Sequence, residues 1–291
     1  MYQSVKVEEG GAAASANQPA VFRLQVEQWR LTAYLSFWGM CLFAFICTTF
    51  TVAPLLGPCP LTPGAEPTYG LHCSVLMETF GFNNICVNWD YSPAREATAL
   101  VYPLFEYSLI AYVVLDHIRS RVEYKNGKFG DQLFRITNVL FWVKIVLIAW
   151  FRMIFVCSVF QEPIPFFGGE LTAVVAHTLG FFGMQFALIL IAFENVCQVI
   201  YRGNGEWGMS PELTRKLSVV YLVVLTCITF LKISWASSIF IYGTPWIEAP
   251  WPHIFDRTWM VLAAVMPVFF SWHQMKHEPD LVVTLVTEEQ E

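Results

Sequence analysis

Four ionisable residues lie within stretches that are otherwise apolar enough to cross a membrane: Glu106, Arg152, His177 and Lys232. Ionisable groups inside a bilayer are costly and face the interior of a helix bundle, so they are the first candidates for function. A helix rises about 1.5 Å per residue, which predicts that Arg152, His177 and Lys232 share a depth in the outer leaflet. Glu106 is expected nearer the midplane. The sequence therefore predicts one polar cluster.

Two interpretations of this cluster remain open. In the functional one, it is a cationic pocket for a phosphate or carboxylate headgroup, with Arg152 as a bidentate clamp and Lys232 as a point charge. Glu106 is then the counter-ion. In the structural one, Glu106 pairs with one cation and fixes helix register, while the other cation extends to the membrane interface. A single histidine such as His177 is more often a satisfied core residue than a catalyst.

A second pair, Lys144 and Glu194, lies nearer the inner face, and we interpret it as a structural ion pair. A proton or ion path would need a continuous ladder of polar groups from this level to Glu106, and the sequence shows none. It also contains no GxSxG, HExxH or phosphate-loop motif. The histidines do not pair at matching depths, as haem ligation would require. We predict no catalytic residue, no metal and no cofactor.

The composition requires lipid as part of the solvent. The 291 residues are 56% hydrophobic and 14% charged, whereas soluble proteins are about 25% charged. The net charge of −6 and the scattered Lys and Arg residues argue against a nucleic-acid partner.

Six stretches are long and apolar enough to span a bilayer core about 30 Å thick. They cover residues 32–54, 95–117, 134–159, 171–199, 213–242 and 254–275. Ser92-Pro93 and Ser210-Pro211 each place a capping hydroxyl before a proline, which predicts a helix start at both sites. The predicted fold is all-α, a polytopic membrane protein with six transmembrane helices.

Charge asymmetry predicts the orientation. Twelve of the seventeen Lys and Arg residues lie in one set of connecting segments, and only Arg95 and Arg257 lie in the other. Because positive charge is retained in the cytoplasm, both termini are predicted to be cytoplasmic. The predicted organisation is a largely disordered tail over 1–30, a transmembrane domain over 31–275 and an acidic tail over 276–291.

The outer loop over residues 55–94 carries three cysteines, Cys59, Cys73 and Cys86. Cysteines that face an oxidising compartment commonly form disulfides, so we predict one here. The pairing stays open, because Cys157 near the outer end of the third span is a fourth candidate thiol. A zinc site is the alternative, but the loop has no CxxC pair and only His72 is adjacent.

The segment after the third span reads Phe160-Gln161-Glu162, and Gly168-Gly169-Glu170-Leu171 then opens the fourth span. The fourth span carries Gly180, Gly183 and Gln185. This order, with six spans and a Cys-bearing first outer loop, resembles the damage-regulated autophagy modulator family. That family includes Golgi proteins that assist lipid remodelling of GPI anchors. The resemblance implies a protein of an endomembrane (lysosome or Golgi) or of the plasma membrane that organises or senses lipid.

The first functional hypothesis is therefore a non-enzymatic protein of lipid handling or membrane regulation, with membrane lipids as partners and the outer-leaflet cluster as its headgroup site. A channel or transporter is one alternative. The other is an accessory subunit that packs against further membrane-protein subunits or against copies of itself.

Overall fold

The computed structural model describes residues 20–52, 74–159, 162–166, 169–203, 206–248, 250–277 and 281–285. Six helical segments in these ranges are long and apolar enough to cross a membrane, which confirms the all-α polytopic fold. They are Val26–Val52, Ala94–Lys125, Asp131–Val156, Ala173–Arg202, Pro211–Tyr242 and Trp251–His277.

The first span consists of α1 (Val26–Cys47) and a π-helical turn (Thr48–Val52), and the second is α3 (Ala94–Lys125). Between them lie the short helix α2 (Val75–Phe80) and a 3-10 turn (Ile85–Trp89). The third span is α4 (Asp131–Trp150) with the short α5 (Met153–Val156).

Two short strands, β2 (Ile164–Phe166) and β3 (Gly169–Leu171), precede the fourth span, α6 (Ala173–Arg202). The fifth span is α7 (Pro211–Tyr242). The sixth consists of α8 (Trp251–Met260), a π-helical turn (Val261–Val265) and α9 (Met266–His277).

A small sheet joins the two ends of the described chain. Strand β1 (Ala20–Leu24) pairs antiparallel with β4 (Leu281–Leu285), and both are rich in residues that favour strands. Strand β1 lies within the segment predicted to be a largely disordered tail, and β4 lies within the predicted acidic tail. Residues 1–19 and 286–291 lie outside the described residues. The sheet places the start of α1 and the end of α9 on one face of the bundle, here called the terminal face. The opposite face, which carries α2, β2 and β3, is the loop face.

Helices α3 and α6 have the largest buried shares among the spans, and α7 has the smallest. An aromatic cluster fills the bundle from its middle towards the loop face. Phe37, Trp89, Phe105 and Phe151 lie with ring centroids 5.4 to 6.3 Å apart, the spacing of favourable aromatic pairs. The centre of the bundle is therefore closed by packed rings in this half.

Glycine allows α6 to approach the third span closely. A Cβ atom on Gly180 would lie 3.2 Å from Ile154, and one on Gly183 would lie 3.0 Å from the Trp150 ring. Small residues at membrane-helix interfaces commonly permit such contacts. The glycines that prompted the family resemblance therefore have a packing role in this structure.

One predicted helix start agrees with the structure, and several other boundaries differ. At α7 the Ser210 hydroxyl accepts a hydrogen bond from the Leu213 amide at 3.3 Å, as expected of a capping serine. At α3 the first helical residue is Ala94, so Pro93 precedes the helix instead of opening it. Helix α1 begins at Val26 instead of residue 32, and α3 continues to Lys125 instead of ending at 117. Polar residues that sequence analysis assigned to loops are therefore inside helices.

Candidate functional site

The four predicted headgroup residues do not form one cationic cluster. Glu106 is fully buried, and the Nε atom of Arg152 donates to both of its carboxylate oxygens, at 2.7 and 2.8 Å. The Arg152 side chain is 52% exposed, and its Nη2 donates to the Tyr107 hydroxyl at 3.2 Å. A break in the third span between α4 and α5 positions Arg152 for this contact.

His177 belongs to a different pair. Its Nε2 lies 3.2 Å from Oδ1 of Asp90, and its Nδ1 lies 3.0 Å from the carbonyl oxygen of Cys157. Both side chains are buried. Burial raises the pKa of the Asp90 carboxyl above its ordinary value, and the contact with His177 opposes that shift. The contacts hold the imidazole on two sides, as expected of a core histidine.

Lys232 forms a third pair, with Asp256 at the start of the sixth span. Its ammonium also lies 4.7 Å from the ring centroid of Phe181 and 4.5 Å from that of Trp259. Cation–π contacts of this kind stabilise a desolvated cation. The charge of Lys232 is therefore balanced within the bundle.

The interpretation as a cationic pocket missed two acids at this level, Asp90 and Asp256. Sequence analysis counted only Lys and Arg in the outer segments. A count of the acids at the same depths would have found both. His177 and Lys232 also line a cavity of about 40 Å³, together with Gln185. This volume suits one or two waters, which the buried amide of Gln185 could bind because it has no hydrogen-bond partner among the described residues.

Lys144 of α4 and Glu194 of α6 do lie together and form a buried ion pair.

The structure forms no disulfide among the candidate cysteines that it describes. Cys86 and Cys157 are free thiols, while Cys59 and Cys73 lie outside the described residues. The Cys86 thiol is buried, and burial raises its pKa well above the ordinary value. No group of three or more His, Cys, Asp or Glu residues in the described ranges could hold a metal ion.

A buried polar network near the terminal face was not predicted. Glu27 accepts from Arg30 at 2.7 Å and lies 3.4 Å from Arg119. Arg119 also contacts Asp116 at 2.5 Å, and the Gln198 amide donates to Asp116 at 2.9 Å. These contacts connect α1, α3 and α6. Sequence analysis missed them because it placed Arg30 and Arg119 in loops.

Arg30 carries this network to the sixth span. Its Nε donates to the Ser271 hydroxyl at 2.6 Å, and Nη2 donates to Gln274. Tyr112, which lies 3.4 Å from Arg30, donates to the side-chain oxygen of Asn195 at 2.8 Å. The network therefore fixes α1, α3, α6 and α9 near the terminal face.

Beside this network is a cavity of about 430 Å³ between α1, α6, α7 and the sixth span. We call it the lateral cavity. It extends from Val199 to Leu188 along α6 and from Thr214 to Leu225 along α7. At 1.5 Å per residue, each wall is about 17 Å long, close to the thickness of one leaflet's hydrocarbon region. Most of its lining is apolar and includes Leu188, Ile191, Ala192, Val196, Leu225 and Leu262.

The polar residues of the lateral cavity are concentrated towards the terminal face. Arg30, Asn195, Glu206 and Gln274 lie at that end, while Leu188 and Leu225 lie towards the middle of the bundle. The cavity thus has the polarity gradient of an amphiphile lying along a membrane helix.

The α6–α7 connection closes the polar end of the lateral cavity against α9. His273 Nε2 lies 2.9 Å from a carboxylate oxygen of Glu206. The Trp207 ring stacks on His273 with centroids 4.1 Å apart. Trp207 adopts a φ of 56°, a left-handed conformation that is uncommon for a bulky residue. This backbone conformation is accompanied by the stacking of the Trp207 ring on His273.

The fold and these sites define an integral multi-pass membrane protein with an intramembrane cavity. No known protein family, no curated protein and no solved structure matches the chain. The resemblance to the damage-regulated autophagy modulator family therefore stays a prediction.

Proposed function

We propose that this protein is a non-enzymatic, lipid-handling membrane protein and that the lateral cavity is its lipid-binding site. The observation that carries the proposal is the shape and polarity of this cavity. It is about one leaflet long and mostly apolar along α6 and α7, and its polar residues are concentrated towards the terminal face. Its volume of about 430 Å³ lies within the usual range of ligand pockets, roughly 300–1,000 Å³.

The proposed lipid site lies apart from the outer-leaflet residues that the sequence offered as headgroup candidates. Arg152, His177 and Lys232 each contact an acid on another element of the bundle. A headgroup phosphate there would have to compete with these internal partners. The pairs are better explained as contacts that fix helix positions, as buried ion pairs do in other proteins.

The predicted orientation, with both termini cytoplasmic, would place the lateral cavity in the cytoplasmic leaflet. The family resemblance would place the protein in an endomembrane or the plasma membrane. Cysteine labelling at each face tests the orientation, and fluorescence microscopy of the tagged full chain tests the localisation.

Filling the lateral cavity tests the proposal. Ala192→Phe on α6 and Ser218→Phe on α7 would occupy it from opposite walls. Ala149→Phe is the matched control, because Ala149 is exposed on α4 and does not line the cavity. The measurement is native mass spectrometry of the full chain purified in mild detergent, which reports the lipid that stays bound.

We expect both cavity variants to lose the retained lipid, while the control keeps as much as the unchanged protein. Thermal unfolding of each variant identifies those that remain folded, and only these are compared. Equal lipid retention by folded cavity variants and the control would show that the lateral cavity does not bind lipid.

A further inference from the structure

The charged groups at the lateral cavity are neutralised within the protein. Arg30 contacts Glu27 at 2.7 Å and Ser271 at 2.6 Å. Glu206 lies 2.9 Å from His273. Among the described residues at this end, a charged headgroup would therefore meet neither an unpaired cation nor an unpaired anion. The carboxylate of Glu206 would further oppose a phosphate.

The uncharged polar groups of the lateral cavity, in contrast, have capacity left for hydrogen bonds. Tyr34 is 4% exposed, lines the cavity, and its hydroxyl has no hydrogen-bond partner within the described parts of the chain. Asn195 accepts from Tyr112 through its oxygen, which leaves its amide NH₂ available. Ser218 adds a further hydroxyl. A hydroxyl that faces a largely apolar cavity gains a hydrogen bond from an occupant with a polar group, so an occupant that pairs with Tyr34 is favoured.

We infer that the lateral cavity selects an uncharged lipid, whose hydroxyl or ester carbonyl contacts Tyr34 and Asn195 while its apolar body lies between α6 and α7. This inference rests on the proposed function and adds the chemical class of the ligand. Sterols and diacylglycerols share this chemistry. Phospholipids do not, because their headgroups carry a phosphate.

The experiment compares three labelled lipids on the full-length protein after delipidation in detergent: cholesterol, dioleoylglycerol and dioleoylphosphatidylserine. We expect cholesterol, dioleoylglycerol or both to bind at least about tenfold more tightly than phosphatidylserine. Binding of only one of the two uncharged lipids identifies the source of the ligand, and either result supports the inference.

Tyr34→Phe removes one hydroxyl and should weaken binding of the uncharged lipid by about two- to tenfold, the equivalent of one neutral hydrogen bond. Tyr242→Phe is the matched control, because Tyr242 is exposed at the loop-face end of α7. Ser218→Ala is a second test that removes another cavity hydroxyl. If cholesterol is the ligand, 5-cholestene, which lacks the hydroxyl, should bind Tyr34→Phe and the unchanged protein equally.

The outcomes separate the two proposals. Phosphatidylserine binding as tightly as the uncharged lipids, with loss in Ala192→Phe, would overturn the uncharged-lipid inference and leave the proposed function standing. Uncharged-lipid binding that is insensitive to both Tyr34→Phe and Ser218→Ala would also overturn the inference. No binding of any of the three lipids above the level seen in Ala192→Phe would overturn the proposed function itself.

Discussion

The buried ion pair between Lys144 and Glu194 gives a quantitative test of how this bundle is held together. The two side chains are only 3% and 6% exposed, and they connect α4 to α6. Glu194→Gln would leave the Lys144 ammonium without its closest partner, and Lys144→Met would do the same to the carboxylate. Each single change should lower the free energy of unfolding by about 3–5 kcal/mol, because an uncompensated charge stays buried.

The double variant is expected to behave differently. Lys144→Met with Glu194→Gln removes both charges and keeps similar volumes, so its cost should be about 1 kcal/mol or less. The coupling between the two sites would then be several kcal/mol, far above the value for independent sites. Unfolding in mixed micelles with increasing sodium dodecyl sulfate, followed by circular dichroism, provides the free energies.

An exposed pair on α7 serves as the matched control. Lys216 lies 2.7 Å from Glu212, and both side chains are about two-thirds exposed. Lys216→Met and Glu212→Gln should each change the free energy of unfolding by no more than about 0.5 kcal/mol. The reasoning is refuted if the buried single variants cost as little as these controls, or if the double variant costs the sum of both singles.

Two further predictions concern residues that contact the third span or belong to it. Arg152→Ala should lower the free energy of unfolding by about 2–3 kcal/mol, less than a fully buried pair because Arg152 is half exposed. It should leave lipid retention unchanged in native mass spectrometry, and loss of an anionic lipid at unchanged stability would instead restore the headgroup interpretation. Gly183→Ala should cost about 1–3 kcal/mol, because its Cβ would lie 3.0 Å from the Trp150 ring. The control Gly39→Ala has no atom within 4 Å, so equal destabilisation of both in thermal unfolding would contradict the packing argument.

The six spans could be predicted because bilayer thickness sets the length of an apolar helix, and that length is visible in one sequence. Their ends could not. Glu27, Arg30 and Arg119 are polar enough to resemble loop residues, yet they continue α1 and α3 because each finds a partner inside the bundle. Hydropathy cannot separate a polar helix end that packs against its neighbours from a solvated connection.

The candidate residues of the site were partly visible. Lys144 and Glu194 lie 50 positions apart and were matched by depth alone. The same depth argument grouped Glu106 with three cationic or ionisable residues, although only Arg152 reaches it. Depth gives the level of a residue in the membrane but not the direction in which its side chain points around the helix. Asp90 and Asp256 could have been found by counting acids at these depths, but their pairing with His177 and Lys232 is set by the three-dimensional arrangement.

The lateral cavity was invisible to sequence analysis because an apolar residue of α7 that faces a gap has the same sequence signal as one that faces lipid. Its size has a thermodynamic consequence. If it stayed empty, the atoms of its walls would lose the packing contacts that a filled interior provides. The bundle closes its loop-face half with aromatic rings such as Trp89 and Phe151, and leaves the gap where α7 meets α6 and α9. A fold with this gap is most stable when an apolar molecule from the surrounding bilayer occupies it, which is the physical basis for assigning lipid binding to this half of the molecule.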